Sequence, residues 1–410
     1  MDRNLRIGIV DQSASGWLAA STYSRMILRS LEAAAAESPI ELFFLVGHGN
    51  NDHLQEPARA TSMRLTNADY MPGEKQLRSL LGLAEKSRAW PGEERLRNTL
   101  RLTSKANVFS LATHKKIDVL LPLLDLPPWR VSAGTIGWIP DFQHLHLPEF
   151  FSQRDLDHRN TTYHRLAERA SVVMLSSHAA QKDFAAFAPG YADKARVIPF
   201  PSLLVFDTLS DDPSVTRNKF NLPEKFALIA NQFWAHKNHA LVVSALDLLQ
   251  KRGIHIPVVM TGLPSDHRDP ANKNLSSLLQ AIAIAALNHQ ITILGLVPYT
   301  DLVNLMRTAT LIIQPSRFEG WSTVVQDAVA LGRPLVCSDI AVHREQTPQA
   351  LGFFPTDDAE ALADLLAGHW KDLTPGPDFE MEKKSLASEG NTARRHGQSL
   401  LELCEEVAAA

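Results

Sequence analysis

The sequence has little of several features that would decide its class at once. It has two cysteines in 410 residues, Cys337 and Cys404, too few for a disulfide framework or a four-cysteine zinc site. Two lone thiols suit a reducing compartment. No run of 18 apolar residues occurs, so we expect no membrane-spanning helix. The first residues, MDRNLRIGIVDQS, contain no apolar signal-peptide core, and we therefore expect a cytoplasmic protein.

A strong excess of charge is also lacking. The formal net charge is −4, with 45% hydrophobic and 21% charged residues, which is typical of globular enzymes and argues against nucleic acid as a partner. One segment, 51–116, departs from this balance, because twelve lysines and arginines face seven acids there. Its net charge of +5 leaves −9 on the remainder. The segment could contact an anionic membrane, at the inner face, or an acidic acceptor. We favour the simpler interpretation, an ordinary solvated helical face.

Both halves of the chain alternate short apolar runs with amphipathic stretches, which predicts parallel sheets covered by helices on both faces. The first half has such runs at 6–11, 40–46, 117–121, 135–139, 172–175 and 196–198. The second half has them at 226–230, 257–260, 291–294, 311–314 and 335–337. The fold class is therefore α/β, with two Rossmann-like doubly wound domains facing a central cleft.

The domain boundary is predicted at a stretch rich in proline and aspartate, 201–223. Residues 1–200 form the first domain, on the acceptor side, and residues 201–395 form the second. A polar stretch, 371–395, precedes a last helix at about 396–410, which could pack back on the first domain. In open sheets of this kind, ligands bind outside the carboxyl ends of the strands.

The most informative motif runs from Gln314 to Pro334. A strand ends at Gln314, a turn with Pro315 and Gly320 follows, and a helix starts at Ser322 or Thr323. A helix start presents free N–H groups and binds anions. The carboxylates of Glu319 and Asp327, eight positions apart, can accept hydrogen bonds from sugar hydroxyls. The motif therefore predicts a ligand with phosphate flanked by polyols, which is a nucleotide sugar.

This stretch resembles the donor-binding motif of family 4 retaining glycosyltransferases of the GT-B fold, in which two acids separated by seven residues follow Pro-Ser. The second acid of the family is usually Glu, and here it is Asp327. In that family an Arg and a Lys hold the donor diphosphate after the first strand of the second domain. This chain has Gln232 in place of the Arg and keeps Lys237. The likeness is specific over about 225–345 and poor over 50–115.

Further positions match the family more loosely. Gly262 and Gly295 follow their strands as in the family, and the backbone near Val297 is expected to contact the base. Gly16 occupies the small-residue loop after the first strand, and His144 resembles the histidine that approaches the donor sugar. Each has a plainer interpretation: Lys237 as a solvated lysine, His144 as a buried core histidine and Gly16 as a turn glycine. His146 and His158 are weaker candidates than His144.

The resemblance implies transfer of a sugar with retention of configuration and without any metal or other cofactor. The diphosphate would then be stabilised by Lys237, Gln232, the Gly16 backbone and the helix start. Asp155-Leu156-Asp157 spells the DxD of metal-dependent transferases but falls inside a predicted helix. Glu319 would orient the donor sugar, and Asp327 would hold the ribose. We expect a GDP-sugar such as GDP-mannose rather than a UDP-sugar, with a saccharide or lipid-linked acceptor in cell-surface polysaccharide or lipopolysaccharide synthesis.

Three other functions stay open on the sequence. A nucleotide-sugar 2-epimerase of the same fold would form product without an acceptor. A binding protein with weakened catalysis would explain Gln232 and Asp327. A dinucleotide oxidoreductase is disfavoured, because the GxGxxG fingerprint is absent.

Overall fold

The computed structural model describes residues 4–12, 18–35, 40–46, 63–67, 108–109, 112–210, 212–266 and 268–410. Most of the basic segment 51–116 lies outside them, so its predicted surface role stays a prediction. The described chain forms two parallel sheets with helices on both faces, which confirms the predicted α/β class and its two doubly wound sheets. Within this part of the chain, no helix combines the length and the apolar character needed to cross a bilayer.

The first sheet has seven strands in the order β3-β2-β1-β4-β5-β6-β7, all parallel. The strands are Leu5–Val10 (β1), Ile40–Val46 (β2), Met63–Asn67 (β3), Val119–Leu123 (β4), Gly134–Trp138 (β5), Val172–Leu175 (β6) and Ala195–Val197 (β7). Among the described residues of this domain, the named helices are Leu18–Ala35 (α1), Gln143–His146 (α2), Gln153–Arg169 (α3) and His178–Phe187 (α4).

The second sheet has six strands in the order β10-β9-β8-β11-β12-β13, also parallel. They are Ala227–Ile229 (β8), Val258–Thr261 (β9), Ile291–Gly295 (β10), Leu311–Gln314 (β11), Leu335–Ser338 (β12) and Gly352–Phe354 (β13). The helices are Ser214–Lys219 (α5), His239–Lys251 (α6), Lys273–Ile284 (α7), Tyr299–Thr308 (α8), Thr323–Ala330 (α9), Ala341–Gln346 (α10), Ala359–Trp370 (α11) and Phe379–Ala409 (α12).

The central strands of both sheets are buried on their two faces, as the continuous apolar runs predict. Successive side chains of a strand point to opposite faces, and each face has its own core cluster. In β11, Leu311 and Ile313 belong to one cluster and Ile312 to the other. In β6, Val172 and Met174 lie on one face and Val173 and Leu175 on the other.

The last helix starts earlier in the chain than the sequence predicts. The polar stretch 371–395 is not a loop before a helix at 396, because α12 already begins at Phe379 and continues to Ala409. The Asp378 carboxylate accepts the Met381 N–H and so caps the first turn, which allows a helix to start within a polar sequence. The apolar pattern that begins near His396 marks only the part of the helix that packs on the first domain.

Helix α12 contacts both domains. Near its start, Glu382 accepts two hydrogen bonds from Arg307, at 2.7 and 2.9 Å, and both side chains are buried. Near its end, Leu400 and Cys404 share a core cluster with Ile27 of α1. Gly397 makes this packing possible, because a Cβ at this position would overlap the carbonyl oxygen of Ser30. The helix therefore ties the first domain to the second.

Substitution of Gly397 tests this packing. We expect Gly397→Ala to lower the free energy of unfolding by about 1–3 kcal/mol, since the added methyl forces α12 away from α1. The measurement is urea denaturation followed by circular dichroism. Gly390→Ala is the matched control in the same helix, because no atom lies within 4 Å of its added Cβ. It should be neutral or stabilise by up to about 1 kcal/mol. Equal effects of the two substitutions would contradict the close crossing at Gly397.

Candidate functional site

In the second sheet, the chain adds β9 and β10 on one side of β8 and then β11, β12 and β13 on the other side. The order of the strands therefore reverses between β8 and β11, which are neighbours in the sheet. The carboxyl ends of these two strands form a topological switch point, where open α/β sheets bind ligands. The segments that follow them, 230–238 and 315–322, supply half of the eight predicted site residues of this domain: Gln232, Lys237, Glu319 and Ser322.

The buried amide of Gln314, at the end of β11, joins the two segments. Its Oε1 accepts a hydrogen bond of 2.8 Å from the Asn231 amide after β8. Its Nε2 lies 2.9 Å from Glu319 Oε1, 3.1 Å from Ser322 Oγ and 3.2 Å from Ser316 Oγ. The turn between β11 and α9 is therefore folded around one side chain, which fixes the position of Glu319.

Lys237 and Glu319 form an ion pair at this edge of the sheet. The distance from Lys237 Nζ to Glu319 Oε1 is 2.5 Å, and the side chains are only 13% and 9% exposed. Lys237 ends a short 3₁₀ turn, and the next residue, Asn238, adopts the left-handed conformation with φ of 59°. The Asn238 amide donates to the carbonyl of Pro315 at 3.1 Å, which holds the two segments together. The two predicted residues are thus brought into direct contact.

The start of α9 is engaged by α10. Ser322 caps the helix, since its Oγ accepts from the Val325 N–H. The Ser322 N–H itself donates to Gln346 Oε1 at 3.1 Å, and Gln346 Nε2 donates back to the Ser322 carbonyl at 2.7 Å. Thr323, at the first helical position, is exposed. An anion at this helix start would therefore meet Thr323 rather than the Ser322 N–H.

Asp327 is half-buried on α9, against the segment that connects the domains. The Ser202 hydroxyl donates to Asp327 Oδ1 at 2.6 Å, and the Ser202 N–H donates to Glu389 of α12 at 2.7 Å. Burial raises the pKa of Asp327 to about 7; nearby Glu389 and Asp207 add to the rise, and the Ser202 hydrogen bond opposes it. The carboxyl is therefore close to its titration point at neutral pH. Its predicted contact with a ribose stays a prediction.

Gln232, Gly262 and Val297 lie around the loop that follows β9. Gln232 Oε1 accepts a hydrogen bond from the Leu263 N–H, so its carbonyl oxygen holds the loop. A Cβ on Gly262 would overlap the Asn231 carbonyl, which explains the glycine at this close approach. The Gly262 N–H donates to the Gly295 carbonyl at 2.9 Å, and Val297 is partly buried two residues further on.

His144 faces the interior of the first domain. It is 2% exposed, its Nε2 lies 3.1 Å from Asn160 Oδ1, and its ring lies 5.3 Å from the Tyr163 ring. Burial is the main cause that lowers the pKa of His144, and the charge of Arg159 adds to the effect, so the ring is neutral at pH 7. Its neighbouring rings, Phe142, Phe151, Tyr163 and Phe187, all belong to the first domain. The loop with Gly16, which is predicted to bind the donor, lies outside the described residues.

Other residues near His144, within 140–146, contact the second domain. A Cβ on Gly320 would overlap the Pro140 carbonyl, so the turn that carries Glu319 lies directly on the first domain. The ring of His146 lies 5.0 Å from that of Phe318. Gln143 Oε1 accepts from Arg268 at 3.2 Å. The segment 140–146 therefore contacts the second domain, whereas the His144 side chain is directed into the first; the predicted contact of His144 with the donor sugar stays a prediction.

No group of three or more potential metal-ligating side chains occurs within the described ranges. Asp155 and Asp157 of the DxD sequence lie in α3, where Asp155 accepts from the Ser152 hydroxyl at 2.7 Å and Asp157 from Gln153 at 2.8 Å. They therefore belong to a helix surface, away from the ends of the strands.

Several residues that organise the site are not predicted by the sequence pattern. Three of them, Asn231, Gln314 and Gln346, fix the loops. The other two are Ser202, which bonds to Asp327, and Arg268, which bonds to Gln143 of the first domain. Only Gln314 carries a signal, because a polar residue at the end of a buried strand requires internal hydrogen-bond partners.

Comparison with known proteins gives one family and one fold. Residues 212–372 match the family model described as glycosyl transferases group 1, a range that includes Gln232, Lys237, Glu319 and Asp327. No curated protein matches the chain.

Solved structures resemble the chain over nearly its full length. Anabaena HepE in complex with UDP and glucose has a TM-score of 0.62 and 14% identity, covering 98% of this chain and 100% of its own. The UDP-forming α,α-trehalose-phosphate synthase of Burkholderia xenovorans has a TM-score of 0.63 and 14% identity, covering 99% of this chain and 100% of its own. Sucrose-phosphate synthase of Thermosynechococcus elongatus has a TM-score of 0.60 and 15% identity, covering 99% of this chain and 97% of its own.

The TM-scores show that these structures share the fold of the chain, and identities of 14–15% show no more than the fold. The predicted GT-B fold is therefore confirmed, and residues 212–372 within it match the glycosyl transferases group 1 family model. Together the fold and this match support a GT-B glycosyltransferase.

Proposed function

We propose that the protein is a retaining glycosyltransferase that moves a hexose from a nucleoside diphosphate sugar to a saccharide or lipid-linked acceptor. The observation that carries this proposal is the Lys237–Glu319 ion pair at the switch point of the second sheet. A cation and a carboxylate fixed side by side offer one group for the diphosphate and one for the sugar. Both residues lie inside the range that matches the glycosyl transferases group 1 family model.

The roles of the residues follow from their positions. Lys237 stabilises the diphosphate leaving group, together with the N–H groups at the start of α9. Glu319, on the turn before α9, accepts hydrogen bonds from the sugar and stabilises the oxocarbenium-like transition state. The leaving phosphate oxygen takes the proton of the acceptor hydroxyl, so that no separate protein base is needed. Asp327, two turns further along, holds the ribose, and no metal takes part.

Two similarities favour different bases in the donor. The sequence resemblance favours a GDP-sugar such as GDP-mannose. HepE, which has the same fold, is complexed with UDP and glucose, and this similarity favours a UDP-sugar instead. For the acceptor, we propose a cell-surface polysaccharide or lipopolysaccharide precursor, met at the inner face of the membrane by the basic segment 51–116.

A second candidate is a nucleotide-sugar-binding protein with weakened catalysis. It is favoured by two contacts: the Gln232 carbonyl is used to hold the loop after β9, and Asp327 accepts from Ser202. Both predicted donor contacts therefore have partners within the protein. Binding of a nucleotide sugar without transfer or hydrolysis would support this candidate.

The experiment that tests the function starts with thermal unfolding in UDP, GDP, ADP and their hexose derivatives. A ligand at a hundredfold excess over its Kd stabilises by about 2.7 kcal/mol, which identifies the donor. Transfer to acceptor saccharides is then followed by NMR, where a product with the anomeric configuration of the donor is expected. Activity should survive EDTA. Inversion of configuration, or activity lost in EDTA and restored by Mn²⁺, would contradict the proposal, and product without acceptor would indicate an epimerase.

Lys237→Ala should weaken the binding of the nucleoside diphosphate by about 2–3 kcal/mol, because a charge-assisted hydrogen bond is lost. Calorimetry with the diphosphate measures this change. Lys251→Ala is the matched control, since Lys251 is 67% exposed on α6. Unchanged affinity in Lys237→Ala would show that the diphosphate binds elsewhere.

Glu319→Gln should lower turnover at least about tenfold, or roughly 1.4 kcal/mol of barrier, because the negative charge opposite the developing cation is removed. Glutamine can still accept the hydrogen bond from Gln314, so the turn is retained. Affinity for the free nucleoside diphosphate should not fall, since Lys237 loses its competing anion. A loss of nucleotide affinity with normal turnover would place Glu319 at the nucleoside instead of the sugar.

The raised pKa of Asp327 predicts a pH dependence of stability. Its folded value of about 7 exceeds the usual value of 3.8, so the folded state binds this proton more tightly than the unfolded state. The contribution of Asp327 to stability therefore falls as the pH rises from about 4 to about 7 and is constant above that range.

Asp327→Asn removes this titration. The unfolding free energy of the variant relative to wild type should therefore rise between pH 5 and pH 8, as measured by urea denaturation. Asp339→Asn is the control, because Asp339 is exposed and hydrogen bonding to Arg344 holds its pKa below the usual value; its difference from wild type should change little over the same range. A constant difference for Asp327→Asn would show that the carboxyl is not buried as described.

A further inference from the structure

The proposed donor site has less positive charge than a diphosphate requires. Lys237, which pairs with Glu319 at 2.5 Å, is the single lysine or arginine among the predicted site residues. Position 232 carries a neutral glutamine. A nucleoside diphosphate has more than one negative charge, and phosphate recognition depends on charge-assisted hydrogen bonds. A further cation close to Lys237 would therefore complete the site.

The loop after β9 is held along the segment after β8. Leu263 makes two of the contacts, since its N–H donates to the Gln232 side chain and its carbonyl accepts from the Phe233 N–H at 3.1 Å. The Trp234 indole N–H donates to the Ser265 carbonyl at 3.2 Å. These bonds bring the far end of the loop, including Arg268, beside the 3₁₀ turn that ends at Lys237.

Arg268 is fixed in this position from several sides. The Asp266 carboxylate accepts from its Nε and its Nη2, each at 3.0 Å, and the side chain is 9% exposed. The guanidinium lies over the Trp234 ring at 5.1 Å and over the Phe151 ring of the first domain at 5.4 Å. Its Nη1 donates to Gln143 Oε1 at 3.2 Å. One edge of the guanidinium is thus held by Asp266, and the other points across the cleft.

Arg268 and Lys237 approach the same histidine. Arg268 Nη2 lies 3.4 Å from His236 Nδ1, and His236 directly precedes Lys237. Burial is the main cause that lowers the pKa of His236, and the charges of Lys237 and Arg268 both add to the lowering. The two cations therefore act on the same small volume between the loops, where a neutral imidazole separates them.

We propose that Arg268 is a second donor-binding cation, which reaches the diphosphate from the loop after β9 and takes the part that Gln232 cannot. The inference rests on the proposed function. Asp266 orients the guanidinium, and Gln232 serves the site indirectly by holding the loop that carries it. On donor binding, the Nη1 group exchanges its bond to Gln143 for a phosphate oxygen.

The alternative role of Arg268 is contact between the domains alone, through Gln143 and Phe151. The two roles differ in what they predict for small ligands. A diphosphate-binding cation discriminates a nucleoside diphosphate from the corresponding monophosphate, whereas a domain contact affects both ligands equally. The ratio of the two affinities, measured on one protein preparation, therefore separates them even where a variant is partly unfolded.

The experiment is calorimetry of wild type, Arg268→Gln and Arg268→Lys with UDP, GDP and ADP and with their monophosphates. We expect Arg268→Gln to weaken diphosphate binding about tenfold or more, with a smaller effect on the monophosphate. Arg268→Lys keeps the charge and loses the planar donor pair, so its affinity for the diphosphate should lie between those of wild type and Arg268→Gln. Arg252→Gln is the control for net charge, because Arg252 pairs with Glu360 and Asp364 on the exposed surface. It should bind as wild type.

An unchanged ratio of diphosphate to monophosphate affinity in Arg268→Gln would overturn the inference, and lower turnover with that unchanged ratio would assign Arg268 to the domain contact alone. Failure of the wild-type protein to bind any nucleoside diphosphate would overturn the proposed function and this inference together. Normal binding by wild type and by Arg268→Gln would overturn the inference and leave the function standing.

Discussion

The candidate site depends on a single buried amide, the side chain of Gln314. A buried amide that lacks partners is costly, so its hydrogen bonds have to be formed within the fold. Here they connect Asn231 after β8 with Glu319 and Ser322 after β11. Because β8 and β11 are adjacent in the sheet, the same bonds that satisfy the amide also set the separation of the two loops. The geometry of the switch point therefore depends on the need to satisfy the hydrogen bonds of a buried amide as much as on the order of the strands.

The Lys237–Glu319 pair follows from this geometry. A buried ion pair is weak evidence for stability, because desolvation of the two charges offsets their attraction. Its presence at the edge of the sheet therefore suggests a use other than folding. With both side chains nearly buried, each charge is presented with little competing water, and an anion that approaches Lys237 does so in a medium where electrostatic interactions are strong. Because each charge has a partner before any ligand binds, neither is left isolated in the interior.

The sequence predicts the repeating parts of this molecule better than the contacts between them. Strands such as β6 and β11 follow directly from their runs of apolar residues, and the turn after β11 from its proline, serine and glycine. The start of α12 at Phe379 is missed, since a polar helix has no apolar period and only the Asp378 cap marks it. Ser202, Gln346 and Arg268 are missed for another reason: each acts on a residue distant in sequence, and only the folded chain brings the two together.

The contact between the domains uses the same turn that carries the catalytic candidate. Gly320 lies against the Pro140 carbonyl, so that a side chain there would push the domains apart and move its neighbour Glu319. A second contact lies nearby, where Glu345 of α10 accepts from the His178 N–H at the start of α4 at 2.8 Å. A carboxylate at a helix N-terminus is stabilised by the helix dipole. The turn that carries Glu319 is therefore held by Gln314 from its own domain and lies against Pro140 of the first, so that the candidate site and the contact between the domains share one turn.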